Sequence, residues 1–454
     1  MKTWKLIMMV ITVILMMDYA SLTFAAVSPE EAKKLGTTLT MFGAERAGNK
    51  DGTIPVYTGG LTTPPANFKP GSGVRPDPFA GEKPLFSISA QNMSRYADKL
   101  TEGTKALMKK YPTFRIDVYK THRTVAYPDF VLKNTAKNAV MATTAQGGIS
   151  LRGAHGGLPF PIPKDGYEVM WNHLVRYQGR STETKFSGYV VDSSGRRYKT
   201  QEILIWEEYP YYDEDLTRGD SHLFWKMRGL FTGPPRKAGE IQMLLDPLNM
   251  AEESRIAYMY LPGQRRVKLA PEIAFDTMDG NSAGNNTYDE GWCLNGSMER
   301  YNWKLLGKKE FYVPYNDYKA TYQVEANELH GPNHLNPDVV RWELHRMWIV
   351  EADLRPNKRH IYHKRRIYVD EDSWTAAACE NYDALGNLYK VNYDAQAPCY
   401  DIPAPNAQFF ISYNMIANRY ITYWWPGEGG YIRPAEVRPL RAWTGASLAG
   451  GGVR

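Results

Sequence analysis

Cysteine is scarce: the chain has three, Cys293, Cys379 and Cys399. None lies near the N-terminus, so no lipid can be attached there, and their spacing lacks the paired pattern of a zinc site. Three cysteines leave at least one unpaired within the chain. Cys379 and Cys399 are close across a turn-rich stretch and are the candidate disulfide; three separate buried thiols is the equal alternative. Catalytic signatures are missing too. There is no G-x-S-x-G elbow, H-E-x-x-H helix, G-x-x-x-x-G-K-[ST] loop or dinucleotide fingerprint. The expectation is therefore a non-enzyme with no catalytic residues, no cofactor and no metal. Dense charge is absent as well: the formal net charge of +6 is spread along the chain without a basic block. Nucleic acid is not an expected partner. Beyond the N-terminal segment no apolar stretch approaches the ~20 residues of a membrane-spanning helix.

Residues 1–25 read as a signal peptide. Lys2 and Lys5 form a positive start, and Leu6 to Met17 is an apolar run of 12 residues broken only by Thr12. That run is short for a spanning helix, which needs ~20. Thr23 and Ala25 suit the positions before a cleavage site, placed after Ala25. The expected location is the periplasm.

Aromatic residues make up 13% of the chain, with 31 tyrosines, which favours half-buried pleated surfaces. The pattern divides the chain into residues 26–178, helices and Pro/Gly-rich wrapping loops; 179–435, an antiparallel β half-barrel; and 436–454, a flexible Gly-rich tail. Ser28-Pro29-Glu30-Glu31 is a capping box. Helices are expected over about 90–110, 132–144 and from Asp165, where Glu168 closes a second box. Gly48 to Pro84 reads as an extended surface loop. From Gly179 onward, turns separate strand-like runs at 186–191, 198–206, 222–231, 240–245, 255–261, 301–313, 342–354 and 360–369. Many strands without helices between them imply an antiparallel sheet or barrel. In 342–352 neither face is cleanly polar, so both faces are expected to be covered. In 360–369 Tyr362, Lys364, Arg366 and Tyr368 share a face suited to an anionic amphipath, although charged strand residues more often face water.

Other polar groupings carry little. His330 and His334 are separated by Gly331 and Pro332, against a helical ligand pair. His360 and His363 fall on opposite faces of their strand. Asp276, Asp279, Asn281, Asn285 and Asp289 lack calcium-loop spacing and read as an ordinary polar loop. Asp213, Glu214 and Asp215 read as a solvated turn tip.

Several long motifs resemble one known family. They are Gly43-Ala44-Glu45-Arg46-Ala47-Gly48-Asn49 with Asp51-Gly52-Thr53-Ile54-Pro55, Glu82-Lys83-Pro84-Leu85-Phe86, Thr121-His122-Arg123-Thr124, and Pro159-Phe160-Pro161-Ile162-Pro163. Trp171-Asn172-His173-Leu174, Leu261-Pro262-Gly263-Gln264-Arg265-Arg266-Val267, Trp303-Lys304-Leu305-Leu306-Gly307-Lys308-Lys309-Glu310, Leu344-His345-Arg346 and Asp370-Glu371-Asp372-Ser373-Trp374 continue the match. Together they resemble the domain-of-unknown-function family 1329. Tyr57 departs from it, standing where tryptophan is expected. The resemblance implies an α+β, mainly β fold: a large curved antiparallel half-barrel sheet with helices covering its concave face, like the lipoprotein carriers. It also implies an outer-membrane β-barrel protein and a resistance-nodulation-division-type permease as partners.

The function expected is a periplasmic carrier or chaperone for a lipid or other hydrophobic or amphipathic ligand. An envelope docking module without cargo is the alternative, and a periplasmic hydrolase the remotest one. Trp206, Phe224, Trp225, Met243, Tyr258, Tyr260, Trp303, Trp348 and Tyr368 are the expected ligand-lining residues.

Overall fold

In the computed structural model, which describes residues 27–405 and 407–449, one sheet of 16 strands organises the chain. The expected signal peptide, residues 1–25, lies outside the described residues. The strands are β1 (Phe86–Ser89), β2 (Arg115–Val118), β5 (Ser181–Val191), β6 (Arg197–Glu208), β7 (Leu223–Gly233), β8 (Ile241–Pro247), β9 (Ile256–Leu261) and β10 (Arg266–Leu269), then β11 (Tyr301–Pro314), β12 (Trp342–Leu354), β13 (Lys364–Asp370), β14 (Ala376–Tyr382), β15 (Leu388–Gln396), β16 (Ala407–Asn414), β17 (Arg419–Trp425) and β18 (Tyr431–Pro434). A separate small hairpin is β3 (Thr143–Ala145) with β4 (Ser150–Arg152).

Two antiparallel meanders, β5 to β10 and β11 to β17, are joined edge to edge where β17 pairs with β5. The one parallel contact on the path is Val118 of β2 beside Trp342 of β12. The path ends at β1 and β10, which do not pair, so the half-barrel is open. Register shifts interrupt the ladders at Leu305/Gly307, Tyr368/Val369, Gly188/Tyr189 and Thr422/Trp425, among others. Each such bulge bends its strand and increases the local twist. The curl is evident from the segment 279–295, which touches β13 through Asp289, β16 through Glu290, β17 through Asp279 and β7 through Trp292.

Among the described residues three α-helices have nine or more residues. In α1 (Glu102–Lys110), Thr101 caps the start by accepting from Thr104 N. That cap interrupts the continuous helix expected over 90–110, and Met93–Lys99 is instead a 3-10 helix. The second helix is α2 (Asp129–Met141). The third, α3 (Gly166–Leu174), starts as expected: Asp165 accepts from Glu168 N at 2.9 Å, and Glu168 accepts from Lys164 N. Ser28 likewise caps its helical turn through Glu31 N. The Pro/Gly-rich loop is pinned by Arg75, fully buried, which clasps Asp401 at 2.6 and 3.2 Å and donates to Ile432 O.

Both faces of β12 are covered, as its mixed pattern implied: Trp342 to Met347 are all buried. Of the two alternatives for the cysteines, no disulfide joins Cys379 and Cys399, and all three are buried. The register sets Asn392 opposite Cys379, and Cys399 lies beyond the end of β15. The tail is not frayed up to residue 449: Gly445–Ala449 is a helical turn, and Trp443 and Leu448 are buried. The strand expected from His360 starts at Lys364, because His360 is drawn away to Asp289 at 2.9 Å.

Candidate functional site

Strand alternation gives each strand two faces, and the two are covered differently. On β6, Ile203, Ile205 and Glu207 face inward, with Trp225 and Met227 of β7, Leu244 of β8 and Phe186 of β5 beside them. These residues form the floor of a trough. The roof is the irregular segment 279–295, which supplies Asp279, Tyr288 and Trp292 among others. Between floor and roof about 40 Å³ remains. That is room for a water molecule, not for an acyl chain. The chain's own segment therefore plugs its apolar trough.

Trp292 is the centre of the plug. Its ring stacks on Trp424 at 4.1 Å and 16°, and meets the edge of Trp225 at 6.4 Å. The backbone here is left-handed at Trp292 (φ 48°), Cys293 (φ 65°) and Trp424 (φ 55°). Residues with a Cβ are strained in that region. Polar contacts hold the strained segment down. The Glu290 carboxylate, fully buried, accepts from Tyr362 OH (2.7 Å), Ser412 Oγ (2.8 Å), Lys390 Nζ (2.9 Å), Asn392 Nδ2 (3.1 Å) and Thr287 N (3.2 Å). Asp289 accepts from Thr287 Oγ1 (2.8 Å), His360 Nε2 (2.9 Å) and Arg365 Nη1 (3.2 Å). Burial alone would raise the Asp289 carboxyl, but the facing His360 and Arg365 hold it below the usual carboxylate range. Asp279 accepts from Tyr423 OH and from Asn281 N. The loop read from sequence as an ordinary polar loop is thus largely buried. Among the described residues no cluster of three or more His, Cys, Asp or Glu could hold a metal ion.

One of the nine expected lining residues, Trp225, borders the cavity. Met243, Tyr258 and Tyr260 lie on the opposite face, in a cluster with Leu223 of β7 and with Trp443 and Leu448 of the C-terminal segment, which straps that face. The period-2 pattern explains this: Gln242 and Leu244 line the cavity, so Met243 between them points away. Trp206 also points away from the cavity-lining Glu207; it donates to Glu183 and lies under the Arg438 guanidinium at 4.1 Å. Phe224 packs edge-on to Trp171 of α3. Trp303 donates to Met298 O, Trp348 stacks on Trp374, and Tyr368 packs on Phe311 and donates to Glu380. The basic face of β13 is spoken for: Arg366 pairs with Glu351 at 2.6 Å, and Tyr362 bonds Glu290.

Sequence reasoning missed Glu290, Trp292 and the inward polar row of β15. Lys390, Asn392 and Asp394 face the plug, while Tyr393 on the other face bonds Thr104 of α1. By pattern alone such a strand reads as polar toward water; here the polar side is inside.

Residues 87–449 match the model of the family described as "Protein of unknown function (DUF1329)". A curated relative, "Uncharacterized protein PA3922" of Pseudomonas aeruginosa, is 39% identical over 415 residues, covering 88% of this chain and 89% of the relative. Among solved structures, a putative outer membrane lipoprotein-sorting protein domain from Vibrio parahaemolyticus overlaps at 13% identity and a TM-score of 0.44, over 63% of this chain and 98% of that one. A DUF1329 family protein from Desulfovibrio piger overlaps at 10% identity and a TM-score of 0.41, over 60% of this chain and 92% of that one.

Proposed function

The chain belongs to the family described as of unknown function, DUF1329, and we propose that it is a carrier for a lipid or other hydrophobic molecule, working in the periplasm. The observation that carries this reading is the plug. An irregular segment with a left-handed tryptophan covers an apolar floor of Phe186, Ile203, Ile205, Met227 and Leu244. A core built only for stability has no need of strained backbone over its apolar surface. Moving the segment exposes that floor, and a hydrophobe gains about 25 cal/mol for each Å² of apolar surface it shields. Cargo and plug then compete for one surface, so uptake and release follow relative affinity without an energy source in this protein. The N-terminal run read from the sequence as a signal peptide supports the periplasmic location. An outer-membrane β-barrel protein and a resistance-nodulation-division-type permease are the partners of the same reading.

The test is mass spectrometry of organic extracts from protein purified from periplasm without detergent. We expect a hydrophobe at near-stoichiometric amount. A protein that is empty, and stays empty after incubation with envelope lipids, sinks the carrier reading and leaves the docking module.

A further inference from the structure

Arginine side chains in this protein repeatedly use one edge. Arg75 presents Nε and Nη2 to the two oxygens of Asp401 at 2.6 and 3.2 Å. Arg123 does the same with Asp372 at 2.8 and 2.6 Å, and Arg255 with Asp246 at 2.6 and 2.6 Å. The Nε/Nη2 edge carries two parallel N–H groups at the spacing of a carboxylate's oxygens.

Arg176 differs. It follows α3 closely, is 3% exposed, and donates from Nη1 to His173 O at 2.6 Å. Its Nε and Nη2 have no partner among the described residues. Burying donors of a charged group without partners is costly, so an interior edge of this kind points to something that satisfies it. The neighbouring carboxylates do not. Glu207 is engaged by Trp225 Nε1 at 3.0 Å and Thr182 Oγ1 at 3.5 Å. Asp394 makes no hydrogen bond to Arg176, and burial pushes its carboxyl well above the usual range. The Trp292 ring lies 5.8 Å from the guanidinium, and its Nε1 is likewise unpartnered. The inward face of β6 runs Ile203, Ile205, Glu207, and Glu207 at its end is within electrostatic reach of the Arg176 guanidinium.

We propose that the cargo is an amphipath with an acidic head group, a carboxylate or a phosphate monoester, whose two oxygens are clasped by the Nε/Nη2 edge of Arg176 while its hydrocarbon lies along the floor of the trough. This rests on the carrier reading. Trp292 is the side chain that gives way, because it covers both the floor and the guanidinium.

The test uses delipidated protein and three probes of one chain length, below their micelle concentrations: palmitate, hexadecyl phosphate and hexadecanol. Charge-assisted paired hydrogen bonds should make at least one anion bind about tenfold or more tighter than the alcohol. The ratio of the two anions tells which acid is the natural head group. Arg176→Gln should bring that preference to near one while hexadecanol still binds, and Arg176→Lys, which keeps the charge without the paired edge, should fall between. Wild-type protein that binds hexadecanol as well as both anions overturns the head-group inference and leaves the carrier reading standing, as does an Arg176→Gln variant that keeps the preference. If none of the three probes binds wild-type protein, both fail. Should Arg176→Gln not fold, the wild-type ratios decide alone.

Discussion

Glu290 accepts five hydrogen bonds in the interior, three of them from side chains of β15 and β16. Such a carboxylate fixes a position, since truncating one partner of a buried pair leaves the other charge uncompensated. Two residues on, Trp292 carries the opposite kind of cost, a left-handed backbone under a large ring. The two effects separate experimentally. Trp292→Ala and Trp292→Gly both remove the indole, but only glycine is at ease at φ 48°. We expect the glycine variant to be more stable than the alanine variant by about 1 kcal/mol in urea denaturation, the reverse of their order in ordinary strand or helix. An alanine variant that is the more stable of the two would show that the backbone there is not strained. Neither residue was legible as functional in the sequence. Asp289 reads as part of an ordinary polar loop, and only the register of β15 and β16 shows what lies beneath it.

At the level of elements, the C-terminal segment behaves as a strap. It covers Met243, Tyr258 and Tyr260, which the sequence offered as cargo contacts. Leu448 is completely buried there. Leu448→Asp should lower stability by about 3 kcal/mol or more, because it places an unpaired charge in an apolar cluster. If the segment frayed, the change would stay within about 0.5 kcal/mol, the ordinary range for a surface substitution. The strands β5 to β9 of the first meander were legible from alternation and turn chemistry, as in β5 and β6 around Asp192-Ser193-Ser194-Gly195, whereas β10 was not. The strands β14 to β17 were not. Ala376-Ala377-Ala378 has little strand propensity of its own and becomes β14 because β13 and β15 pair with it on both sides.

For the molecule as a whole, the sheet and the plug should differ in stability. The sheet is held by long hydrogen-bond ladders between neighbouring strands, whereas 279–295 has no strand of its own and is held against the sheet by side-chain contacts, the stacked Trp292–Trp424 pair and the buried Cys293 and Leu294 among them. Native-state hydrogen exchange should therefore show the amides of 279–295 opening at a lower free energy than those of β5, β6 and β15. A hydrophobe that displaces the plug should make that segment exchange faster still while leaving the strands unchanged. Exchange of the segment only through global unfolding, with or without hydrophobe, would make it a fixed part of the core.

The sequence by itself determined the class of structure: strand-length alternation and turn residues after Gly179 specify an antiparallel sheet, and Asp165 with Glu168 specifies where α3 begins. Those are local properties, set within a few residues by backbone geometry and capping. Which face of a strand is inside is not local. It follows from register and from what the rest of the chain lays against each face. Only the tertiary structure decided that Met243 faces the strap and Leu244 the trough, that the polar row of β15 is buried under Glu290, and that Arg176 ends in the interior beside Trp292. The physical reason is that strands covered on both faces, such as β12 and β15, have no solvated side, so polarity along them no longer tells inside from outside.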